Sequence, residues 1–175
     1  MSDALTFRAA TPADVPAIVS LVQSAYRGDA SRAGWTTEAD FLDGQRTDHD
    51  DVSTCIARDR SVILLAEQDD DLLACAHVAD EDSAGYFGMF SVNPALQGGG
   101  VGSRLLAEAE GRVRENWQLP AMRMTVIDIR EELIAFYERR GYTRTGILKP
   151  FPYGDVRFGI PKRDDLRFEV LEKRL

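Results

Sequence analysis

A glycine tract that ends a strand and opens a helix constrains this chain more than any other feature. The segment Ser91-Val-Asn-Pro-Ala-Leu-Gln-Gly-Gly-Gly-Val-Gly-Ser103 holds Gly98, Gly99, Gly100 and Gly102. Before it, Phe87, Met89, Phe90 and Val92 suit a buried strand; after it, Val101, Leu105, Leu106, Ala109 and Val113 recur at helical spacing. Without Cβ atoms the backbone N–H groups approach a ligand closely, and the helix adds unpaired amides and the positive end of its dipole. Such a junction is an anion cradle, and a phosphate is its natural guest. Its alternative is a plain glycine turn.

The flanking chain places this junction in a mixed α/β domain. Residues 5–9 alternate as a short strand, and Thr11 and Pro12 then start a helix whose apolar stripe is Val15, Ile18, Val19, Val22 and Ala25. Residues 27–35 form a loop; Thr36 or Thr37 caps an expected second helix through Phe41 and Leu42, and Val52, Cys55 and Ile56 suggest further helical turns. From Ser61 the period changes. The runs 62–66 and 72–78, separated by Asp69-Asp-Asp71, predict an antiparallel hairpin, and residues 86–92 complete a three-strand meander that feeds the glycines. A helix to about Trp117 follows, interrupted in propensity by Gly111. After it come a strand at Met122, Met124 and Val126, a helix over residues 130–140 stopped by Gly141, and strands at 142–148 and 166–171.

No internal repeat, linker or low-complexity tract divides the 175 residues, so one domain over residues 1–175 is expected. A chain of this length buries about 70% of its unfolded surface. The net charge of −8 argues against a general nucleic-acid binder. Cys55 and Cys75 have no Cys or His at metal-ligand spacing and read as reduced buried thiols, and no apolar run reaches the ~20 residues of a membrane span. The expectation is a cytoplasmic protein without a metal, a nucleic-acid partner or a membrane partner. A homodimer through a sheet edge or the last strand is compatible with the sequence.

Two motifs carry chemistry. Gln97-Gly-Gly-Gly-Val-Gly102 satisfies Q-x-x-G-x-G, and Phe136-Tyr-Glu-Arg-Arg-Gly-Tyr142 puts Tyr137 on the last turn of a helix, where its alternative is a core tyrosine. In this order and separation the two motifs resemble those of the GNAT superfamily of acyl-CoA-dependent N-acetyltransferases, over roughly residues 61–148. The resemblance implies a mixed, mostly antiparallel central sheet with helices on both faces. It also implies acetyl-CoA as co-substrate, with its pyrophosphate on Gln97, Gly98, Gly100, Gly102 and Ser103. The pantetheine arm would pair with the backbone of Phe90 and Val92, and Tyr137 would lie near the thioester sulfur. Two departures stand out. Arg130 occupies a place where members often have Asn, and the strand before the glycines lacks the Glu that many members use as base.

The mechanism so implied is direct attack of a neutral primary amine on the thioester, with Tyr137 protonating the departing thiolate and Glu67, His77 or a water chain taking the ammonium proton. The acceptor, a small-molecule or peptide amine, would lie against the loop 26–37 and the segment 149–157. Tyr26, Trp35 and Tyr153 are candidate contacts there, with Phe151 beside them. Asp29 or Asp155 would attract an amine, whereas Arg27 and Arg32 would attract a carboxylate. Two other functions compete. A non-catalytic acyl-CoA sensor would share the fold. A dinucleotide-binding oxidoreductase would use Gly98, Gly100 and Gly102 with Asp128, but five residues, 93–97, separate this strand from its glycines and a meander precedes it, unlike a βαβ start.

Overall fold

The computed structural model describes residues 4–175. In chain order it forms β1 (Thr6–Ala9), α1 (Val15–Tyr26), β2 (Leu42–Asp43), α2 (His49–Ala57), β3 (Ser61–Gln68) and β4 (Asp71–Asp80). There follow β5 (Gly85–Val92), α3 (Val101–Asn116), β6 (Ala121–Ile127), α4 (Glu131–Glu138), β7 (Thr143–Pro150), β8 (Ile160–Pro161) and β9 (Arg167–Arg174). Seven strands make one sheet in the order β1-β3-β4-β5-β6-β9-β7, antiparallel throughout except where β5 meets β6. This is the expected mixed α/β architecture.

Both faces of the sheet are covered, and β3 shows how the sequence arranges it. Its continuous apolar run sends Ile63 and Leu65 to the face packed by α1 and α2, and Leu64 and Ala66 to the face packed by α3 and α4. α1 supplies Val15, Ile18, Val22 and Ala25 to the first core, while Leu105, Leu106, Ala109 and Val113 of α3 fill the second. Entry into α1 is fixed by charge: Asp14 accepts from the Thr11 amide at 2.7 Å and pairs with Arg8 at 2.8 Å, and Arg8 also reaches Glu67 at 2.7 Å. A Cβ at Gly111 in α3 would meet only Arg114 Nη2, at 4.0 Å, so no packing demand requires the glycine and its presence costs helix propensity.

One expectation fails. The helix predicted from Thr36 or Thr37 through Leu42 does not form; residues 36–41 run as turns and irregular chain into β2, which pairs with β8 in a small two-stranded ribbon. Helix formation there loses to tertiary demands: Glu38 turns inward to two arginines, and Leu42 joins Ile127, Phe151 and Leu166 in a third apolar cluster. Among the described residues no helix is long and apolar enough to cross a membrane, and no cluster of three His, Cys, Asp or Glu is placed to hold a metal.

Candidate active site

The site begins where β5 leaves its neighbour. β5 and β6 pair in parallel only at Gly85 and Tyr86 against Met122 and Arg123, so the strands diverge beyond Tyr86 and a cleft opens between them. A bulge in β5 sets what faces the cleft. Pairing with β4 slips between Cys75↔Ser91 and His77↔Gly88, and Met89 takes φ +53°, a conformation rare for a bulky side chain. Strict alternation would put residues 87, 89 and 91 on one face. The extra residue instead brings Phe87, Phe90 and Val92 together on the α3 face and sends Met89 to the α1 core.

Two cavities meet at Phe90, which lines both. The first, of about 270 Å³, is bounded by Trp35, Val92, the glycine loop from Gln97 to Ser103, and Phe136, Arg139 and Arg140. Gly98 and Gly100 have φ of +94° and +84° with nothing within 4 Å of their Cβ positions, so backbone lines an open cradle at the start of α3. Gly102 has a different reason to be glycine: a Cβ there would lie 2.8 Å from Phe90 Cζ, so its absence lets α3 seat against β5. Gln97 is a strut. Its Oε1 accepts from the Trp35 amide at 2.7 Å, and its Nε2 donates to Thr36 Oγ1 at 2.6 Å and to the Val92 carbonyl at 3.1 Å. Arg140 brings cationic charge to the same cradle. Its guanidinium lies 3.5 Å from the Phe136 ring centroid and donates to Ser103 Oγ at 2.9 Å and to the Phe136 carbonyl at 2.7 Å. Open backbone, a helix start and two arginines fit a pyrophosphate.

The second cavity, of about 260 Å³, lies on the other side of Phe90 and is lined by charge as well as by rings. Glu38, 5% exposed, pairs with Arg130 at 3.0 Å and with Arg27. Burial alone would raise its carboxyl pKa, but Arg130 and Arg27 overrule burial and hold it below the ordinary value. Arg130 also donates to the Thr36 carbonyl, so this side chain locks the loop carrying Thr36 and Glu38. Tyr26, at the end of α1, donates its hydroxyl to the Phe90 carbonyl at the junction of the cavities, under the guanidiniums of Arg46 and Arg130 at 5.3 and 5.5 Å from its ring centroid. Tyr137, 3% exposed, also lines this cavity, held among Phe87, Phe90, Phe136 and Tyr142 at centroid distances of 6.4, 6.2, 5.4 and 5.8 Å. Burial pushes its hydroxyl well above the ordinary tyrosine range, so it keeps its proton at neutral pH.

The family model described as the Acetyltransferase (GNAT) family matches residues 17–142, most of the chain, including β5, α3, β6 and α4. The chain belongs to the GNAT acetyltransferase family. No curated protein matches it in sequence. Among solved structures it is similar to the ribosomal-protein-alanine N-acetyltransferase from Brucella melitensis, with TM-score 0.73, 21% identity and coverage of 97% of this chain and 99% of that one. The ribosomal-protein-S18-alanine N-acetyltransferase from Escherichia coli gives TM-score 0.72 at 14% identity, covering 98% and 94%. A GNAT family acetyltransferase from Elizabethkingia anophelis, solved with acetyl-CoA bound, gives 0.68 at 16%, covering 99% and 100%. GNAT membership makes this an N-acetyltransferase drawing on acetyl-CoA.

Several residues singled out from the sequence stand elsewhere in this GNAT fold. Glu67 pairs with Arg8 on the outer strands and lines neither cavity. His77 also lines neither; its Nε2 lies 2.8 Å from Ser61 Oγ, and burial lowers its pKa to about 4. Trp35 lines the cradle cavity, 5.5 Å from Phe136, and not the second one that holds Tyr26. Tyr153 lines neither cavity, because its hydroxyl latches its own loop, donating to the Arg163 carbonyl at 3.0 Å and accepting from the Leu166 amide at 2.8 Å. Asp29 and Asp155 are bound on the surface by Arg32 and Arg157. Cys55 and Cys75 are free, and burial pushes their thiols up to about 11 and about 12, which suits neither for nucleophilic work. Sequence reasoning missed Glu38, Arg46 and Arg140. For Arg140 a signal was present, since it lies four residues after Phe136, just beyond the motif helix.

The cradle gives a direct test. Gly100→Asp is expected to weaken acetyl-CoA binding roughly 10- to 100-fold in calorimetry, because it places a carboxylate at the anion site on a backbone of φ +84°.

Proposed function

We propose that this GNAT enzyme transfers the acetyl group of acetyl-CoA to the primary amine of a small acceptor by direct attack, with Tyr137 as the acid that protonates the leaving thiolate. The supporting observation is that the cradle cavity and the acceptor cavity meet at Phe90, with Tyr137 in the wall beside it. Acetyl-CoA supplies the activated acetyl thioester when bound. Gly98, Gly100, Ser103 and Arg140 would hold its pyrophosphate, and the end of β5 from Phe90 to Val92 would align its arm. The carbonyls of Phe90 and Val92 each already accept one side-chain hydrogen bond, from Tyr26 and Gln97, which fixes the strand end.

The amine must lose a proton, and the acceptor cavity offers no free carboxylate for it, since Glu38 is clamped between Arg27 and Arg130. Cationic surroundings serve the same end by a different route. Three guanidiniums against one carboxylate disfavour an ammonium and favour the neutral, nucleophilic amine, whose proton leaves through water. The free thiols of Cys55 and Cys75 support a cytoplasmic location.

Thermal shift and thiol release test the reading together. Acetyl-CoA is expected to raise the melting temperature while NAD does not, and thiol release should rise on addition of an accepted amine. Stabilisation by acetyl-CoA without turnover on any amine would make the protein a sensor and overturn the enzymatic reading.

A further inference from the structure

The acceptor cavity is strongly cationic in an acidic protein. Its ionisable lining is Arg27, Arg46, Arg130 and Glu38 with three tyrosines, in a chain of net charge −8. Arg27 and Arg130 share Glu38. Arg46 has no such bonded partner: its guanidinium rests on the face of Tyr26 at 5.3 Å and makes no side-chain hydrogen bond or ion pair among the described residues. Glu38 and, more weakly, Asp51 on α2 act on it electrostatically, but Glu38 is bonded to Arg27 and Arg130, and Asp51 is engaged by Thr47 Oγ1 at 2.8 Å. The backbone around Arg46 is fixed, with its amide and that of Thr47 both donating to Gln23 Oε1. A second group in the same wall is unsatisfied. Arg27 is only 6% exposed, and its Nε–H has no acceptor. A desolvated guanidinium fork without an anion is an oxyanion site.

We propose that the acceptor is an amino carboxylate of amino-acid size with an apolar side chain, and that Arg46 receives its carboxylate. The inference rests on the N-acetyltransferase reading. Arg46 stacks on the ring of Tyr26, whose hydroxyl is bonded to the Phe90 carbonyl, so the anion site and the transfer point are held by one rigid side chain. Leu42, Ile127, Phe151, Phe158 and Phe168 supply the apolar wall. A volume of about 260 Å³ suits an acceptor smaller than a drug-sized ligand, for which pockets run ~300–1,000 Å³.

The test compares phenylalanine and leucine with phenylalanine amide, phenethylamine and spermidine in thiol-release assays, using the intact protein and Arg46→Gln. The expected result is kcat/KM at least tenfold higher for the amino acids than for phenylalanine amide. In Arg46→Gln, the preference for the amino acids over phenylalanine amide should fall at least tenfold, carried by KM for the amino acids, and Arg46→Lys should recover part of the loss. As a readout independent of turnover, N-acetylphenylalanine should raise the melting temperature of the intact protein and N-acetylphenylalanine amide should not. Equal or better turnover of the amide, phenethylamine or spermidine, or a carboxylate preference that survives Arg46→Gln, overturns the proposal and leaves the acetyltransferase reading standing. Absence of thiol release with every amine overturns both.

Discussion

Glu38→Ala is expected to destabilise the protein by about 3–5 kcal/mol, read as a lower urea midpoint with an unchanged slope. Among the described residues Glu38 is the one carboxylate lining the cavity of Tyr26 and Tyr137, and its removal leaves Arg27 and Arg130 facing each other without it. Removing one member of a buried charge group costs more than the group contributes, because the remaining ions stay desolvated. The loop that holds Thr36 loses its anchor as well, since Arg130 binds both Glu38 and the Thr36 carbonyl. The effect has a defined pH dependence. The carboxyl's folded pKa lies below its ordinary value of 4.5, so its stabilisation is fully present above that pH and fades as the pH falls through the folded value. The difference in stability between the natural protein and Glu38→Ala should therefore shrink under strong acid. A difference that stays constant down to low pH would mean that packing, and not charge, sets the effect.

Tyr137→Phe should lower kcat about 100-fold while leaving acetyl-CoA affinity and melting temperature nearly unchanged. The variant keeps the ring and its four edge contacts to Phe87, Phe90, Phe136 and Tyr142, and loses only the hydroxyl. Burial keeps that hydroxyl protonated at neutral pH, so it has a proton to give and is not a tyrosinate base. A variant with unaltered kcat on the best amine would remove Tyr137 from proton transfer and leave it as a core aromatic.

The fold was largely legible because its signals are local. The double-faced apolar run of β3, the helical stripes of α1 and α3, and Gly141 with φ +98° beyond α4 each announce their element without tertiary information. The bulge at Met89 was not legible, since Phe87, Met89, Phe90 and Val92 read as a uniformly buried strand until pairing with β4 shows the slip. The stretch 36–42 misled for a physical reason: threonine capping favours a helix, but an ion pair with residues 27 and 130 and a ribbon with residues 160 and 161 draw the chain elsewhere.

The site divides in the same way. The glycine loop and Tyr137 declare themselves, because phosphate cradles and the motif helix are contiguous in sequence. The acceptor cavity gathers Tyr26, Glu38, Arg46, Arg130 and Phe151 from five separated stretches, and no spacing rule links them. Gln97 illustrates both halves. By itself the sequence determined that Gln97 opens the cradle motif; only the tertiary structure decided that its side chain braces the 35–36 loop against β5, because both amide ends find partners that lie 61 and 62 residues away or at the end of the preceding strand.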